Sequence, residues 1–538
     1  MILIPFRMKR IFPLLLASLM LASCAGRENH DADTPCFEWR GVHFDVSRHF
    51  LPVDYIQKQI DVLSGYGINV LHIHLTDAAG WRMESKAFPE LTEQAAWRPY
   101  PDWKAWDTGG RRYCQKDDPE AQGGFFTQDE LRSLVAYAAE RGITIVPEIE
   151  MPGHSEEVEA VYPDLTLLHP GADEAALQAL NERLLAFYKT ILLEVMDVFP
   201  SPYIHIGGDE TDYPLQHEFI AEMARFVHEY GRRAVAWDEV LCPSLPKDVV
   251  VMIWHGMDKA QDAVRQGYDV VLTPGAYCYL DHYQDAMFSQ PEAIGGYTPL
   301  EKVCAFRPLD GMNDEEASHI LGVQGNMWAE YISTLEHHEE MLYPRILALA
   351  EIGRKGCIDD YPAFRRYALA EVERLRAAGI HAFDLAHEVG QRAESLTPIH
   401  HLAEGCKVRY NVPWSPYYPA SEASTLTDGL CGGWHHGDGR WQGFIPNGLD
   451  VCIELGEAKW VKEVSLTFYN SPGVEIFLPS AVQVNGQEAL PVGGPVDEEA
   501  FGIVCYRAAV DAEISEIHIT AQHNIRRGWL FVDEIVAK

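Results

Sequence analysis

The chain is short of basic residues: 43 Lys and Arg stand against 80 Asp and Glu in 538 residues, a formal net charge of −37. Such a surface repels nucleic acid and anionic membranes, so polyanionic partners are excluded. The leading apolar run, Ile11 to Ala22, falls below the ~20 residues of a permanent membrane span. There is no CxxC pair and no His/Cys cluster at zinc-ligand spacing, and the 11 cysteines are scattered, so no particular bridge is predicted. No signature for a nucleotide, a haem or a catalytic metal occurs, and no cofactor is expected. Low-complexity stretches are also missing. What remains, at 47% hydrophobic and 11% aromatic residues, is enough to bury at least one large core, and the length suggests two or three domains.

The first residues read as a targeting segment. Arg7, Lys9 and Arg10 precede the apolar run, which ends in Leu21-Ala22-Ser23-Cys24, a sequence that resembles a bacterial lipoprotein box. Residues 1–23 are therefore expected to be a signal peptide, Cys24 a lipidated thiol, and 24–36 a polar tether. On this reading the protein is exported and held at a membrane by its lipid alone, in the periplasm or at the cell surface of a bacterium.

From Trp39 onward, short apolar runs alternate with helical patterns. Eight strands are predicted at 39–46, 69–76, 143–149, 203–207, 234–237, 249–254, 269–273 and 320–325, with helical patterns at 53–65, 127–141, 175–198 and 215–230 among others. This repetition predicts an α/β fold, a (β/α)8 TIM barrel over 37–390, whose site lies at the C-terminal ends of the strands. Charged and aromatic residues gather there: Arg48 after the first strand, Asp77 after the second, His154 after the third, Asp209 and Glu210 after the fourth. Trp237, Trp254, Tyr279 with Asp281, and Trp328 with Glu330 follow the last four. After a helical pattern at 360–379 and a connector, residues 400–538 show short alternating segments separated by Gly, Pro and Asn, which predicts a C-terminal all-β sandwich.

Asp209 and Glu210 are adjacent, and neighbours in an extended segment point to opposite sides, so the two carboxylates can serve different parts of one ligand. Glycoside hydrolysis usually needs two carboxyl groups; in the substrate-assisted variant a 2-acetamido oxygen replaces the enzymatic nucleophile. Glu210 would then be the general acid, which requires its pKa to be raised. Asp209 would accept the amide N–H and stabilise an oxazolinium intermediate. An isolated Asp-Glu pair is equally a surface turn or a helix cap; Ile204-His205-Ile206-Gly207-Gly208-Asp209-Glu210 is far more specific.

Together with Asp45-Val46-Ser47-Arg48-His49-Phe50, Leu71-His72-Ile73-His74-Leu75-Thr76-Asp77, Pro147-Glu148-Ile149-Glu150-Met151-Pro152-Gly153-His154, Trp237-Asp238-Glu239 and Tyr279-Leu280-Asp281, that segment resembles family 20 of the glycoside hydrolases, the β-N-acetylhexosaminidases. The resemblance implies an exo-acting, retaining glycosidase that removes terminal β-linked N-acetylhexosamine. It implies that Asp77 and His154 support the acid Glu210, and that Arg48 grips ring hydroxyls. Trp237, Trp254 and Trp328 would wall the N-acetyl group, Tyr279 would donate to the acetamido oxygen, and Asp281 and Glu330 would bind outer hydroxyls. Three departures stand out: Asp77-Ala78-Ala79-Gly80-Trp81 where the family often has Asp-Asp-Gln-Gly-Trp, no α/β domain before the barrel, and a Trp- and Gly-rich insertion over 97–124. The insertion is expected to shape subsites beyond the terminal sugar. Residues 400–538 faintly resemble discoidin-type (factor 5/8-type) domains through Leu426-Thr427-Asp428-Gly429, Gly439-Arg440-Trp441-Gln442-Gly443-Phe444 and Ile453-Glu454-Leu455-Gly456; such domains often bind carbohydrate, and a purely stabilising sandwich is the even alternative. The competing function is a catalytically inactive, glycan-binding surface lipoprotein.

Overall fold

The computed structural model describes residues 34–524 and 528–538; the expected signal peptide, Cys24 and most of the tether lie outside them. Eight parallel strands close into a barrel: β1 (Trp39–Asp45), β2 (Val70–His74), β3 (Thr144–Glu148), β4 (Tyr203–His205), β5 (Arg233–Trp237), β6 (Val250–Ile253), β7 (Asp269–Leu272) and β8 (Ile320–Met327). Each pairs with its sequence neighbours, and β8 closes on β1 with Trp39 opposite Gly322. Every predicted strand has a counterpart within three residues of its expected limits.

These strands read as continuous apolar runs because they are buried on both faces. Val42, Phe44, Leu71, Ile73, Ile204, Ala236, Val251 and Leu272 face outward into the core shared with the helices. The alternate positions point inward. Near the N-terminal mouth these are apolar, with Trp39, Val70, Val146, Val235 and Val250 in one cluster. Toward the C-terminal mouth they turn polar, with His43, His72, His74, Glu148 and His205 all fully or almost fully buried. Period-two alternation thus gives the barrel an inner layer of titratable groups directly beneath its rim.

Helices Val53–Ser64, Gln128–Ala139, Glu174–Val198 and Gln216–Glu229 follow the first four strands. Gln128–Ala139 starts on a reciprocal cap, Thr127 accepting from the Glu130 N–H while Glu130 accepts from the Thr127 N–H, as the Thr-x-x-Glu spacing dictates. The fifth unit has no α-helix. Only the single turn Asp238–Val240 separates β5 from β6, and Pro243 and Pro246 would interrupt a longer helix there.

The C-terminal region is an eight-stranded antiparallel sheet. The expected sandwich is built from one hydrogen-bonded sheet, because two very long strands, Leu449–Asn470 and Gly502–Gln522, run through it. Their pairing shifts register at Glu454/Lys459 and Val461/Glu463. Lys407–Tyr410 pairs with the first half of the former strand and Leu530–Ala537 with its second half. Val408, Ile453, Leu466, Phe468, Ile519 and Ile535 share one core between the two halves. Among the described residues no helix is long and apolar enough to cross a membrane.

Candidate active site

The loop after β1 is folded around one carboxylate. Asp45 accepts from the backbone of Ser47, Arg48 and Ala329 and from the Arg48 guanidinium, which fixes the aim of Arg48. That guanidinium lies 2.8 Å from Asp77, 3.7 Å from Glu330 and 5.2 Å from the Trp328 ring centre. Asp77 Oδ2 is also 3.1 Å from His74 Nε2 and 3.6 Å from His154 Nδ1. Burial alone would raise the Asp77 carboxyl, but Arg48, His154 and His74 hold it down at about 2.

His154 Nε2 faces both members of the acidic pair, 3.8 Å from Asp209 and 3.4 Å from Glu210. Burial disfavours charge on this ring, yet Asp77, Glu210 and Asp209 raise it to about 10, so it is an imidazolium. Glu210 departs from the expectation of a raised pKa. Its hydrogen bond to His154 outweighs partial burial and lowers it, and its side chain is 59% exposed. The physical reason is that water still solvates a carboxylate paired with a cation.

The pair also does not alternate as on a strand. β4 ends at His205, and Glu210 has φ 42° while His154 has φ 48°, conformations that cost non-glycine residues of order 1–3 kcal/mol and cluster at functional sites. Both carboxylates consequently line one cavity. Gly207 and Gly208 have φ 61° and 99°. A Cβ on Gly207 would lie 2.1 Å from the Glu150 carboxylate, and one on Gly208 would lie 2.4 Å from Val240.

The cavity, about 280 Å³, is lined by all the predicted rim residues save Asp77: Arg48, His154, Asp209, Glu210, Trp237, Trp254, Tyr279, Asp281, Trp328 and Glu330, together with His282 and Ile294–Gly296. Asp77 sits just behind, touching Arg48 and His154. Trp237 is both core and wall: its indole N–H donates to Glu148 at 2.8 Å, and its ring lies 5.8 Å from Trp328. Trp254 stacks near-parallel to Tyr279 at 6.2 Å. Burial raises the Tyr279 hydroxyl well above its usual range, so it keeps its proton and can donate. Asp281 Oδ1 and Glu330 Oε2 are buried without a protein partner, two acceptors suited to ligand hydroxyls. A larger groove of about 650 Å³ lies on the barrel flank beside Lys58 and Glu339, but those two groups are already paired at 2.6 Å.

Two carboxyl groups escaped the sequence reading. Glu150 is buried directly beneath Asp209, with Oε1 accepting from Met151 and Gly208 N–H at 3.0 Å each. Burial and the nearby Asp209 charge push it well above the usual carboxylate range, and its Oε2, like Asp209 Oδ1, is buried without a hydrogen-bond partner. Glu150 therefore keeps its proton beside Asp209. Glu239 accepts from the Trp254 indole at 3.1 Å; burial, Asp209 and Asp238 raise it to about 8. Their signal was present in the Glu-Ile-Glu and Trp-Asp-Glu motifs, but an alternating strand gave no reason to aim Glu150 at the neighbouring strand's acid.

The Ala78-Ala79 departure is matched by the insertion. Both alanines are buried against Trp106, Tyr100, Trp103 and Tyr113. From there the insertion reaches three other rim loops, through Arg111–Glu156 at 3.0 Å, Lys104–Glu292 at 2.6 Å and Trp103–Tyr331 at 5.9 Å. The loop after β7 is braced from the C-terminal region: Met287 packs with Trp441, Tyr469 and Phe531, Phe288 lies 5.2 Å from Trp434, and Tyr297 stacks with His435 at 6.3 Å.

Among the described residues, three groups place potential ligand atoms near enough to share a cation: His43, His74 and Glu148; His72, Glu148 and His205; Asp238, Glu239 and His255. In each the central carboxylate already accepts from protein donors, Glu148 from Trp237 and Asp238 from the Trp254 and His255 backbone, so these are hydrogen-bond networks.

A family model for the glycosyl hydrolase family 20 catalytic domain matches residues 37–213 and 212–355. The chain belongs to glycosyl hydrolase family 20. It is 37% identical over 352 residues to a beta-hexosaminidase of Porphyromonas gingivalis, covering 60% of this chain and 43% of that protein. It is 34% identical over 356 residues to a beta-hexosaminidase of Vibrio furnissii, covering 60% and 57%. The chain thus spans about half the length of these family 20 relatives. Among solved structures, the family 20 exo-β-N-acetylglucosaminidase of Vibrio harveyi superposes with TM-score 0.56 at 30% identity, over 66% of this chain and 60% of that one. The β-N-acetylhexosaminidase of Bacteroides fragilis does so with TM-score 0.53 at 31% identity, over 65% and 73%.

Proposed function

We propose that the protein hydrolyses terminal, non-reducing β-linked N-acetylhexosamine from glycans by substrate-assisted catalysis. The observation that carries this reading is the joint placement of Asp209 and Glu210 on one small cavity walled by Trp237, Trp254 and Trp328. A cavity of this size fits a single sugar residue and therefore exo action. The aromatic walls exclude water and hold the acetamido oxygen beneath the anomeric carbon. Asp209, with protonated Glu150 buried beneath it, accepts the amide N–H and balances the charge of an oxazolinium ion. The intermediate opens to water with retention.

Glu210 delivers the proton to the leaving oxygen. It is ionised while half-exposed beside His154; entry of the glycan displaces its water, which raises its proton affinity at the moment an acid is needed. Arg48, Asp281 and Glu330 bind the hydroxyls of the same sugar. No step calls for a cofactor or metal.

We further infer an exported, lipid-anchored protein, supported by the Leu21-Ala22-Ser23-Cys24 box, with the insertion shaping the subsites beyond the terminal sugar. The C-terminal domain serves at least as a brace for the loop after β7, and a discoidin-type role in holding polymer is compatible with it.

The test is nitrophenol release from aryl β-N-acetylglucosaminide and β-N-acetylgalactosaminide by the protein lacking its leader. Asp209→Asn and Glu210→Gln should each lose at least ~10²-fold, Glu210→Gln most on poor leaving groups. Tight glycan binding without turnover would instead establish the inactive, glycan-binding alternative.

A further inference from the structure

The reaction above uses the rim, yet the barrel directly beneath it carries a second set of buried titratable groups. Glu148 lies at its centre, entirely buried, 2.5 Å from His74 Nδ1, 3.1 Å from His72 Nε2 and 3.0 Å from His205 Nδ1. His74 differs from the other histidines of this set. His72 accepts on Nδ1 from Gln324, and His205 Nδ1 is shared with the Gly207 N–H. Neither nitrogen of His43 has a hydrogen-bond partner. His74 alone has a carboxylate on each ring nitrogen, Glu148 on Nδ1 and Asp77 on Nε2 at 3.1 Å. A ring so placed holds two protons and a positive charge. Burial opposes that charge, but Glu148 and Asp77 raise the ring well above the usual imidazole range.

The charges then alternate without a break from the barrel interior to the cavity: Glu148 anion, His74 cation, Asp77 anion, His154 cation, Glu210. We propose that His74 and Glu148 extend the Asp77–His154 pair into a buried chain that orients Asp77 and thereby positions Glu210 to deliver its proton. His74 is a positioning residue here, since it lies beneath the cavity and acts only through Asp77.

The geometry explains why Asp77 needs a second anchor. Its Oδ2 is the common acceptor of Arg48, His74 and His154, and Arg48 has a competing task at Glu330. With His74 neutralised, Asp77 would swing toward Arg48 and loosen its already long 3.6 Å contact with His154. The other charged or titratable groups facing His74 are His43 and Asp45 on β1, Arg48 at 3.4 Å, His72 on its own strand and His205 across Glu148. Of these only Arg48 also touches Asp77, so the His74 contribution is separable by mutation.

This inference rests on the hexosaminidase reading, and its test separates the two. The purified protein is assayed on a dinitrophenyl β-N-acetylhexosaminide, whose leaving group needs little protonation, and on an alkyl or disaccharide substrate, which needs a full proton. His74→Gln should lose about 10-fold or more in kcat/KM on the poor leaving group and no more than about 3-fold on the good one. The alkaline limb of its pH profile should move upward, because removing a nearby cation lets Glu210 hold its proton more tightly. His72→Gln, equally buried and also beside Glu148 at 3.1 Å, should leave the ratio between the two substrates unchanged. Equal losses on both substrates in His74→Gln, or the same change of ratio in His72→Gln, would overturn the proposal. Should His74→Gln fail to fold, Glu148→Gln tests the chain from its far end by the same ratio. In the wild type, ¹⁵N-histidine NMR at neutral pH should show His74 carrying both N–H protons, and a neutral ring there would equally overturn it. Wild-type protein that turns over neither substrate would sink the hexosaminidase reading itself, whereas an active wild type with an unshifted ratio in His74→Gln would sink only this inference.

Discussion

Replacing Glu150 by glutamine probes whether Asp209 really leans on a neutral acid. In the folded protein Glu150 is 2% exposed and its pKa is raised well above the usual value of 4.5, chiefly by burial and by Asp209. The unfolded chain ionises this side chain as the pH passes that ordinary value, whereas the folded protein retains the proton. Stability from this group is therefore complete below about pH 4.5 and is lost as the pH rises toward the folded-state value. Each unit of that rise is worth about 1.4 kcal/mol. Glutamine has nothing to ionise. Its carbonyl replaces Oε1 in accepting from Met151 and Gly208, and its NH2 replaces the carboxyl proton toward Asp209. Glu150→Gln should hence be more stable than wild type at pH 7 to 8, and the advantage should vanish near pH 4.5. Activity should fall less than about 10-fold. Glu150→Leu, by contrast, leaves two buried N–H groups without acceptors at ~1–3 kcal/mol each and puts an apolar group beneath Asp209, so it should lose both stability and turnover. Urea titrations at pH 4.5, 6 and 8 beside steady-state kinetics decide the matter. A Glu150→Gln protein that is less stable than wild type at every pH, or as inactive as Glu150→Leu, would refute the reasoning.

Three further outcomes are expected. His72 and His338 are fully buried, and burial lowers them to about 4 and about 3. The unfolded chain therefore binds more protons at these rings below about pH 6.5, and wild type should lose stability relative to His338→Gln between pH 6.5 and 4 by about 1.4 kcal/mol per unit in thermal scans; a pH-independent difference would contradict this. Trp434→Ala should raise KM several-fold with kcat nearly unchanged, because it frees Phe288 and the loop carrying Ile294–Gly296; loss of kcat alone would assign the brace another role. Trp106→Ala removes the ring that covers Ala78 and Ala79, so it should cost about 3–5 kcal/mol in chemical denaturation and alter leaving-group preference through the displaced insertion.

The strand–helix alternation, the polar change at the end of each strand and the spaced motifs were readable because they are local. A strand buried on both faces is apolar throughout, and its rim residue follows within a few positions. That is why Arg48, His154, Asp209, Glu210, Trp254, Tyr279 and Glu330 could be nominated in order along the chain, and why the structure brings them to one cavity. Chain order could not reveal contacts made by closing the barrel. Glu150 reaches Asp209 only because β3 and β4 are adjacent and Gly207 has no side chain. Glu210 is held low by His154, a partner 56 positions away whose charge depends on Asp77, which is why the expected raised pKa is not found. Ala78 and Ala79 look like a defect in the motif until Trp106 is seen to cover them. Likewise the residues from about 400 onward alternate as a β domain should, but only tertiary packing sets Trp434 and His435 behind the loop that walls the cavity. Periodicity and turn chemistry act over a few residues and are written in the sequence; proton affinities and supporting contacts depend on groups brought together from distant strands, and these the folded barrel alone decides.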